Sequence, residues 1–552
     1  MAKARLTPLA KGLIVVMILS VVLCLGWFAG VGALISSMSG SSDGELPSPK
    51  PGIPTNGGSA GALGTEASPL KVSIVSFHGY APALLANGNS LKTKPGSIFA
   101  KEGTNVEFII QDNVPTLTEI FESGTAQCAW RTSDFWAQEH PNLRNAGLDA
   151  KAIMVVDNTQ GGDAIISTKP DVKRVEDLAG RSVALLEFTP SHGMLIDAVE
   201  NSSLSAKKKA SVKVIPINVD EGTAGVRAAL ESGQVDAAAL WDPDLALAMR
   251  AKGAHVVYST KTATNLIYDV IVCDTKYLDD PANKAAFKGF VSGWMKGVAA
   301  SEANPGAAVD AVIATEDMFA ELAKVEGKDF ILGLTKNLDW TGLSDNARIL
   351  GMAGGTNHYE RLYRRFDGIY RGIGALANPN SPVISPNQSF DYSFIKALLA
   401  DDAAAKAEAA KPVFTFTEAE QQQAAAKPAA LTKLVSINFE TGKSTLTKRA
   451  QKTIDDDMVP MIENNGSAYF ELSGNTDSTG GRAGNLALSK KRAQAVEDYL
   501  VKEWEFPIER FKVVGNGPDK PVCNEASPDS EGLSLEDCRK ANRAVRLGVL
   551  IR

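Results

Sequence analysis

The 552-residue chain predicts an α/β protein with a two-lobed region over residues 69–399 and a small α+β domain of order βαβαββ over 431–552, behind one N-terminal transmembrane helix. Three observations predict it. A long uncharged stretch follows the first basic residues, one helix-turn-strand unit occurs twice in the middle, and alternating strands flank a glycine-rich turn and an amphipathic helix near the C-terminus.

Lys3, Arg5 and Lys11 precede a segment without charge from Gly12 to Ser42, apolar from Leu13 to about Ile35. As a helix it crosses a bilayer core of about 30 Å. A cleaved signal peptide would have a shorter apolar core and a small-x-small exit, so residues 1–40 are expected to be a retained anchor. Val22-Leu23 ahead of Cys24 do not make a lipidation site. The basic flank stays in the cytoplasm, and the first charges beyond are Asp43 and Glu45, which predicts a single-pass inner-membrane protein with its bulk in the periplasm. Gly26 and Gly30 form one GxxxG, a helix-pairing motif or a chance spacing. No acid interrupts the span, which argues against a proton-driven stator. Residues 41–68, with four prolines and six glycines, read as a flexible tether with a reach of roughly 30 Å.

In the middle region Leu117–Gly124 leads into Ala126–Trp130, and Val226–Gly233 leads into Val235–Trp241. Each is a helix ending at Glu-Ser-Gly, then a short apolar strand and a tryptophan. Glycine suits the helix stop because it tolerates left-handed dihedrals. Two equivalent α/β units imply two sheets whose carboxyl strand ends face a shared ligand site. Val72–His78, Gly162–Ile166, Val175–Val183, Gly233–Ala237 and Trp241–Asp244 resemble the periplasmic solute-binding proteins of nitrate, sulfonate/taurine and thiamine-precursor transporters. That resemblance implies a type II binding-protein fold with lobe two inserted at about 163–260. Cleft candidates at the strand ends are Ser76, Phe77, His78, Trp130, Arg131, Thr132, Thr189, Ser191, His192, Trp241 and Asp242. The Thr189–Gly193 loop opens a helix whose N–H groups can receive an anion, with Arg131 as countercharge. The expected solute is small, polar and anionic. Each aromatic can instead pack lobes, and Ser191 can be a plain helix cap. Gly354–His358 is a further lip or simply a loop.

Residues 400–430 hold thirteen alanines plus Pro412 and Pro428, an interrupted semi-helical spacer. Beyond it Val435, Ile437 and Phe439 alternate as a strand, Thr447–Asn464 reads as a helix, and Ala468–Leu472 alternates into Gly474–Gly480. An amphipathic helix spans about Leu486 to Trp504. Phe511 and Val513 start another strand, and Val545–Ile551 alternates at the end. Asp477 at the turn and Arg492 on the helix can converge on one zwitterion, or pair with each other. With Asn485–Ala493 in register and Asn542-Arg543 further on, residues 431–552 resemble the OmpA-like peptidoglycan-binding domain. The resemblance implies that Asp477 and Arg492 grip diaminopimelate of the peptide stem, with Thr476 and Asn485 beside them. A carboxylate pairs with the ammonium and a guanidinium forks onto the carboxylate. Arg543 is a secondary contact or a loop anchor. Asn475 stands where that family most often has histidine, and Ala544 where it has a second arginine.

Of five cysteines, Cys523 and Cys538 bracket a polar loop and would close a 16-residue ring, worth about 3 kcal/mol in an oxidising space. Metal binding is the alternative, with no histidine near either. Cys128 and Cys273 lie in apolar runs and read as core residues.

A net charge of −7 without a basic stripe excludes nucleic acid as a partner. No P-loop, paired-carboxylate context or His-x-x-x-His pattern occurs, so no enzyme, cofactor or metal is expected. The expected partners are peptidoglycan, a small solute, the membrane, and an ABC-type permease or another inner-membrane protein that reads the receptor. In the alternative reading the solute domain is degenerate and serves as a protein-interaction module at the wall.

Overall fold

Runs such as Ala237–Trp241 and Val270–Cys273 are apolar throughout, so their strands must be covered on both faces, as parallel and mixed sheets with flanking helices are. The computed structural model describes residues 62–112, 117–411, 417–426, 429, 431–435, 437, 439–440, 442–528 and 533–550. The predicted membrane span lies outside them; among the described residues no helix is long and apolar enough to cross a membrane.

Lobe one is built on six strands: β1 (Leu70–Ile74), β2 (Val106–Ile110), β3 (Cys128–Thr132), β4 (Ala150–Thr159), β10 (Tyr268–Asp274) and β11 (Leu338–Trp340), in the order β11-β4-β10-β3-β1-β2. Lobe two holds β5 (Asp163–Ser167), β6 (Ser182–Leu185), β7 (Lys213–Pro216), β8 (Ala237–Trp241) and β9 (His255–Ser259), ordered β7-β6-β8-β5-β9. The chain crosses between lobes twice, from β4 to β5 and from β9 to β10. The two crossings are tied together, since Gly161 N–H donates to Thr260 Oγ1 at 2.9 Å. The helix Lys284–Ala303 closes lobe one by burying Phe287, Phe290 and Trp294, the first against Phe394 and the second stacked on Phe99.

Cys128 and Cys273 are not free core residues. They face each other in the β3–β10 register and are joined as a disulfide. Each lies in an apolar run because the bond sits inside the sheet, so apolarity masked the pairing.

The C-terminal domain has the sheet order β12-β15-β13-β14, formed by β12 (Leu431–Val435), β13 (Tyr469–Asn475), β14 (Phe511–Gly517) and β15 (Val545–Leu550). The predicted 447–464 helix is two, Lys448–Asp457 and Val459–Asn464, because Pro460 lacks an N–H and starts the second. The Cys523–Cys538 disulfide is present. The loop it closes runs into a helix, Leu535–Asn542, capped by Ser534 and absent from the sequence reading.

Candidate functional site

The lobes meet around a cavity of about 290 Å³. Lobe one contributes Ser76, Phe77, Trp130, Thr132 and Asp269, and lobe two Asp163, Phe188, Thr189 and Trp241. Strand ends place them there: Trp130 and Thr132 close β3, Asp163 opens β5 and Trp241 closes β8. Phe188 sits at φ +56°, a strained value for a bulky residue, at the rim of the Pro190–Glu200 helix.

Other predicted cleft residues do not line this cavity. Arg131 points into lobe one: wholly buried, its Nη2 donates to Glu139 Oε1 at 2.8 Å, Nη1 donates to the Trp130 carbonyl, and the guanidinium lies over Phe121. Side chains alternate along a strand, so Arg131 faces the opposite way from its neighbours Trp130 and Thr132. His78 is buried against Phe77 and Phe319, and burial lowers its pKa to about 4. His192 accepts from the Phe188 N–H and is likewise held neutral by burial, at about 4. Ser191 is fully buried behind the rim. Asp242 accepts from Asn337 Nδ2 at 2.8 Å and the Ala246 N–H at 3.1 Å. It therefore latches lobe two to the segment before β11, and burial raises its pKa to about 6.

The groups expected to receive an anion are thus not brought together at the cavity. Arg131 is committed to Glu139, and the first turn of the Pro190–Glu200 helix already has a carboxylate against it: a Cβ on Gly193 would lie 2.4 Å from Asp134 Oδ2. None of the residues lining the cavity is Lys, Arg or His, whereas Asp112, Asp163, Glu221, Asp244 and Asp269 all line it.

Asp163 and Asp269 are the buried acids of this set, and sequence reading missed both. The available signal was an acid inside or at the end of an otherwise apolar strand, as in Tyr268–Val272. Tyr80 donates to Asp269 Oδ2 at 2.5 Å. Burial, with Asp134 nearby, still pushes Asp269 up to about 7. Burial also raises Asp163 well above the carboxylate range, with Asp269 and Asp242 adding to it. Asp157, opposite Asp269 in the β4–β10 register, has no hydrogen-bond partner for either carboxylate oxygen among the described residues and is raised by burial and by Asp269. Unpaired buried carboxylates are costly to a fold, and such clusters concentrate at functional sites.

The second site lies at the end of β13. Gly474 and Gly515 let the helix Arg482–Trp504 lie directly on the strands, since a Cβ at Gly474 would meet the Ser489 carbonyl at 2.0 Å. That close approach sets Arg492 beside the Asp477 turn. Both are nearly buried. Asp477 Oδ1 accepts from the Thr479 N–H at 3.0 Å and Oδ2 from Arg543 Nη1 at 2.5 Å. Arg492 lies 4.9 Å above the Phe439 ring and donates to the Lys443 carbonyl at 3.1 Å. Its pKa is lowered by burial and by Arg543, against the pull of Asp477. Asn485 donates to the Thr479 carbonyl and so shapes the turn. Thr476 is held by its N–H to the Gly517 carbonyl, and its buried hydroxyl has no hydrogen-bond partner among the described residues. Asn475 is structural, donating to the Ala544 carbonyl and accepting from Asn516. Sequence reading missed Glu525, which accepts from Ser478 Oγ at 2.6 Å and Asn542 Nδ2 at 2.9 Å and ties the disulfide loop to the turn.

Fold and sites define a two-lobed α/β architecture with a cavity between the lobes, joined to a small domain with an acid–arginine turn. Comparison with known proteins agrees in both parts. Residues 97–308 match the NMT1/THI5 like family and residues 438–532 the OmpA family, so the chain joins an NMT1/THI5-like domain to a C-terminal OmpA domain. Curated relatives include the photosystem I P700 chlorophyll a apoprotein A2 of Gloeobacter violaceus, 36% identical over 112 residues (20% of this chain, 12% of the relative). Another is the peptidoglycan-associated lipoprotein of Pseudomonas putida, 34% identical over 94 residues (17% of this chain, 55% of the relative). The chain spans 12% to 55% of the length of these two relatives. Among solved structures, the periplasmic aliphatic sulphonate binding protein SsuA of Escherichia coli is similar at 15% identity and a TM-score of 0.44, covering 58% of this chain and 96% of its own. The desulfurization enzyme DSZB is similar at 13% identity and a TM-score of 0.40, covering 60% of this chain and 99% of its own.

Proposed function

We propose that this chain is a periplasmic receptor held at the cell wall. Its lobes enclose a small polar solute, and its C-terminal domain holds peptidoglycan without cleaving it. The observation that carries the reading is the 290 Å³ cavity walled by both lobes. A degenerate interaction module would have that space filled by its own side chains. The NMT1/THI5-like match supports a solute-binding role, and the OmpA match, with a relative named for peptidoglycan association, supports the wall role.

In this reading Asp477 takes the free ammonium of the diaminopimelate stem and Arg492 its carboxylate, as charge-assisted pairs. Arg543, already on Asp477, shares that carboxylate with the ligand. Residues 1–40 anchor the chain in the inner membrane, and 41–68 and 400–430 act as tethers. An ABC-type permease or a membrane sensor reads the closed lobes. Two tethers keep the receptor's effective concentration at the membrane high.

Purification of the full-length chain under native conditions, followed by mass spectrometry of released small molecules and co-sedimentation with purified sacculi, tests both halves. A recovered solute and a wall pellet are expected. A chain that carries no solute and stays in the supernatant would refute the reading.

A further inference from the structure

We infer that the cavity takes a small organic cation, its charge held between Asp163 and Asp269 and its apolar body against Trp130, Phe135, Phe188 and Trp241. This rests on the receptor reading and names the class of its solute.

The charge of the walls carries the inference. The five ionisable residues lining the cavity are all acids. Two are already answered by protein groups: Asp244 accepts from Arg227 at 2.9 Å, and Asp112 from the Ser76 N–H and hydroxyl. Glu221 is exposed at the rim. Asp163 and Asp269 are buried, and no ion pair to either occurs among the described residues. Behind them Asp157 carries two carboxylate oxygens without a hydrogen-bond partner among the described residues. An anion entering here would meet no basic side chain among the lining residues, and acids that repel it whenever they ionise, most strongly in a low dielectric. A cation would supply the opposite charge that these carboxylates lack.

Aromatic rings fit the same ligand. Trp130, Phe135, Phe188 and Trp241 line the space, and aromatic faces attract desolvated cations. The indole N–H of Trp130 is buried and has no hydrogen-bond partner among the described residues. Among the described residues no three of His, Cys, Asp and Glu come together as a group that could hold a metal ion. Spacing across a large, largely apolar cavity suits an organic ammonium better than a bare ion.

Protons link to this binding. Asp269 faces the Tyr80 hydroxyl, Asp134 on the helix after β3, Asp157 across β4 and Asp163 at the start of β5. With its pKa near 7, Asp269 is partly protonated in the empty cavity at neutral pH. A cation favours the ionised form, so its binding expels a proton and tightens as pH rises.

The test is calorimetry on the purified full-length chain, with phenethylamine and choline set against ethanesulfonate and nitrate in buffers of different ionisation enthalpy. An amine should bind with proton release, several-fold tighter at about pH 7.5 than at about pH 5.5. Asp269→Asn should weaken it by at least about tenfold while the empty protein keeps or gains thermal stability, because the substitution removes carboxylate repulsion. Asp163→Asn provides the same readout where Asp269→Asn fails to fold. Tighter binding of ethanesulfonate or nitrate, or amine binding indifferent to both substitutions and to pH, would overturn the cation and leave the receptor standing. Binding of no probe, and no solute recovered on native purification, would overturn both.

Discussion

Asn265, in the segment that returns the chain from lobe two to lobe one, donates its side-chain amide to the Glu463 carbonyl at 2.8 Å. Its backbone N–H donates to the Asn464 carbonyl at 3.0 Å. Asn464 in turn donates to Asp197, and Asn465 accepts from the Tyr258 hydroxyl at 2.9 Å. The end of a C-terminal-domain helix is therefore fastened to an inter-lobe crossing. Asn265→Ala leaves the Glu463 carbonyl without that donor, which costs about 1 kcal/mol. Limited proteolysis between the two domains should quicken; an unchanged rate would show that this contact does not hold them.

Asp477→Ala and Arg492→Ala should each lose co-sedimentation with sacculi. Each leaves a ligand charge facing no partner, a penalty on the order of 2–5 kcal/mol in a buried site. Arg543→Ala should weaken binding less, because Asp477 keeps the Thr479 N–H bond and remains available to the ammonium. Circular dichroism should show all three folded.

Above about pH 6.5 the receptor should lose stability as pH rises. Asp269, at about 7, and Asp157 and Asp163, also raised by burial, have folded pKa values above the unfolded carboxyl value of about 3.9. The folded state then binds more protons, so stability is full below the unfolded value and lost through the folded one. Buried His78 and His192 and half-buried His358, each lowered to about 4, act in the opposite sense. They are neutral in both states above about 6.5, which leaves that window to the acids. The thermal midpoint of the empty protein should fall from about pH 6.5 to about pH 8.5, and Asp269→Asn should flatten the fall.

Replacing Cys523 and Cys538 by serine removes a short loop constraint worth about 3 kcal/mol. Because Glu525 in that loop holds Ser478 beside Asp477, the double variant should also bind sacculi more weakly. Wild-type sedimentation would separate the disulfide from the site.

The sequence by itself determined what depends on local pattern. Strand alternation from Ala468 to Leu472, the Gly474–Gly480 turn and the helical spacing around Arg492 made the wall domain legible, because each is specified within a few residues. The Glu-Ser-Gly stops of the repeated unit did the same for the lobes. Tertiary structure alone decided what depends on which face of a strand a side chain takes and what lies across the sheet. Arg131 turned inward to Glu139 because its strand neighbours Trp130 and Thr132 face the cavity. Cys128 met Cys273 only through the β3–β10 register, 145 residues apart in the chain. Asp163 and Asp269, on strands of different lobes, acquired their shared electrostatic character when the lobes closed around one cavity. No local spacing encodes that meeting, because it is set by sheet pairing and burial.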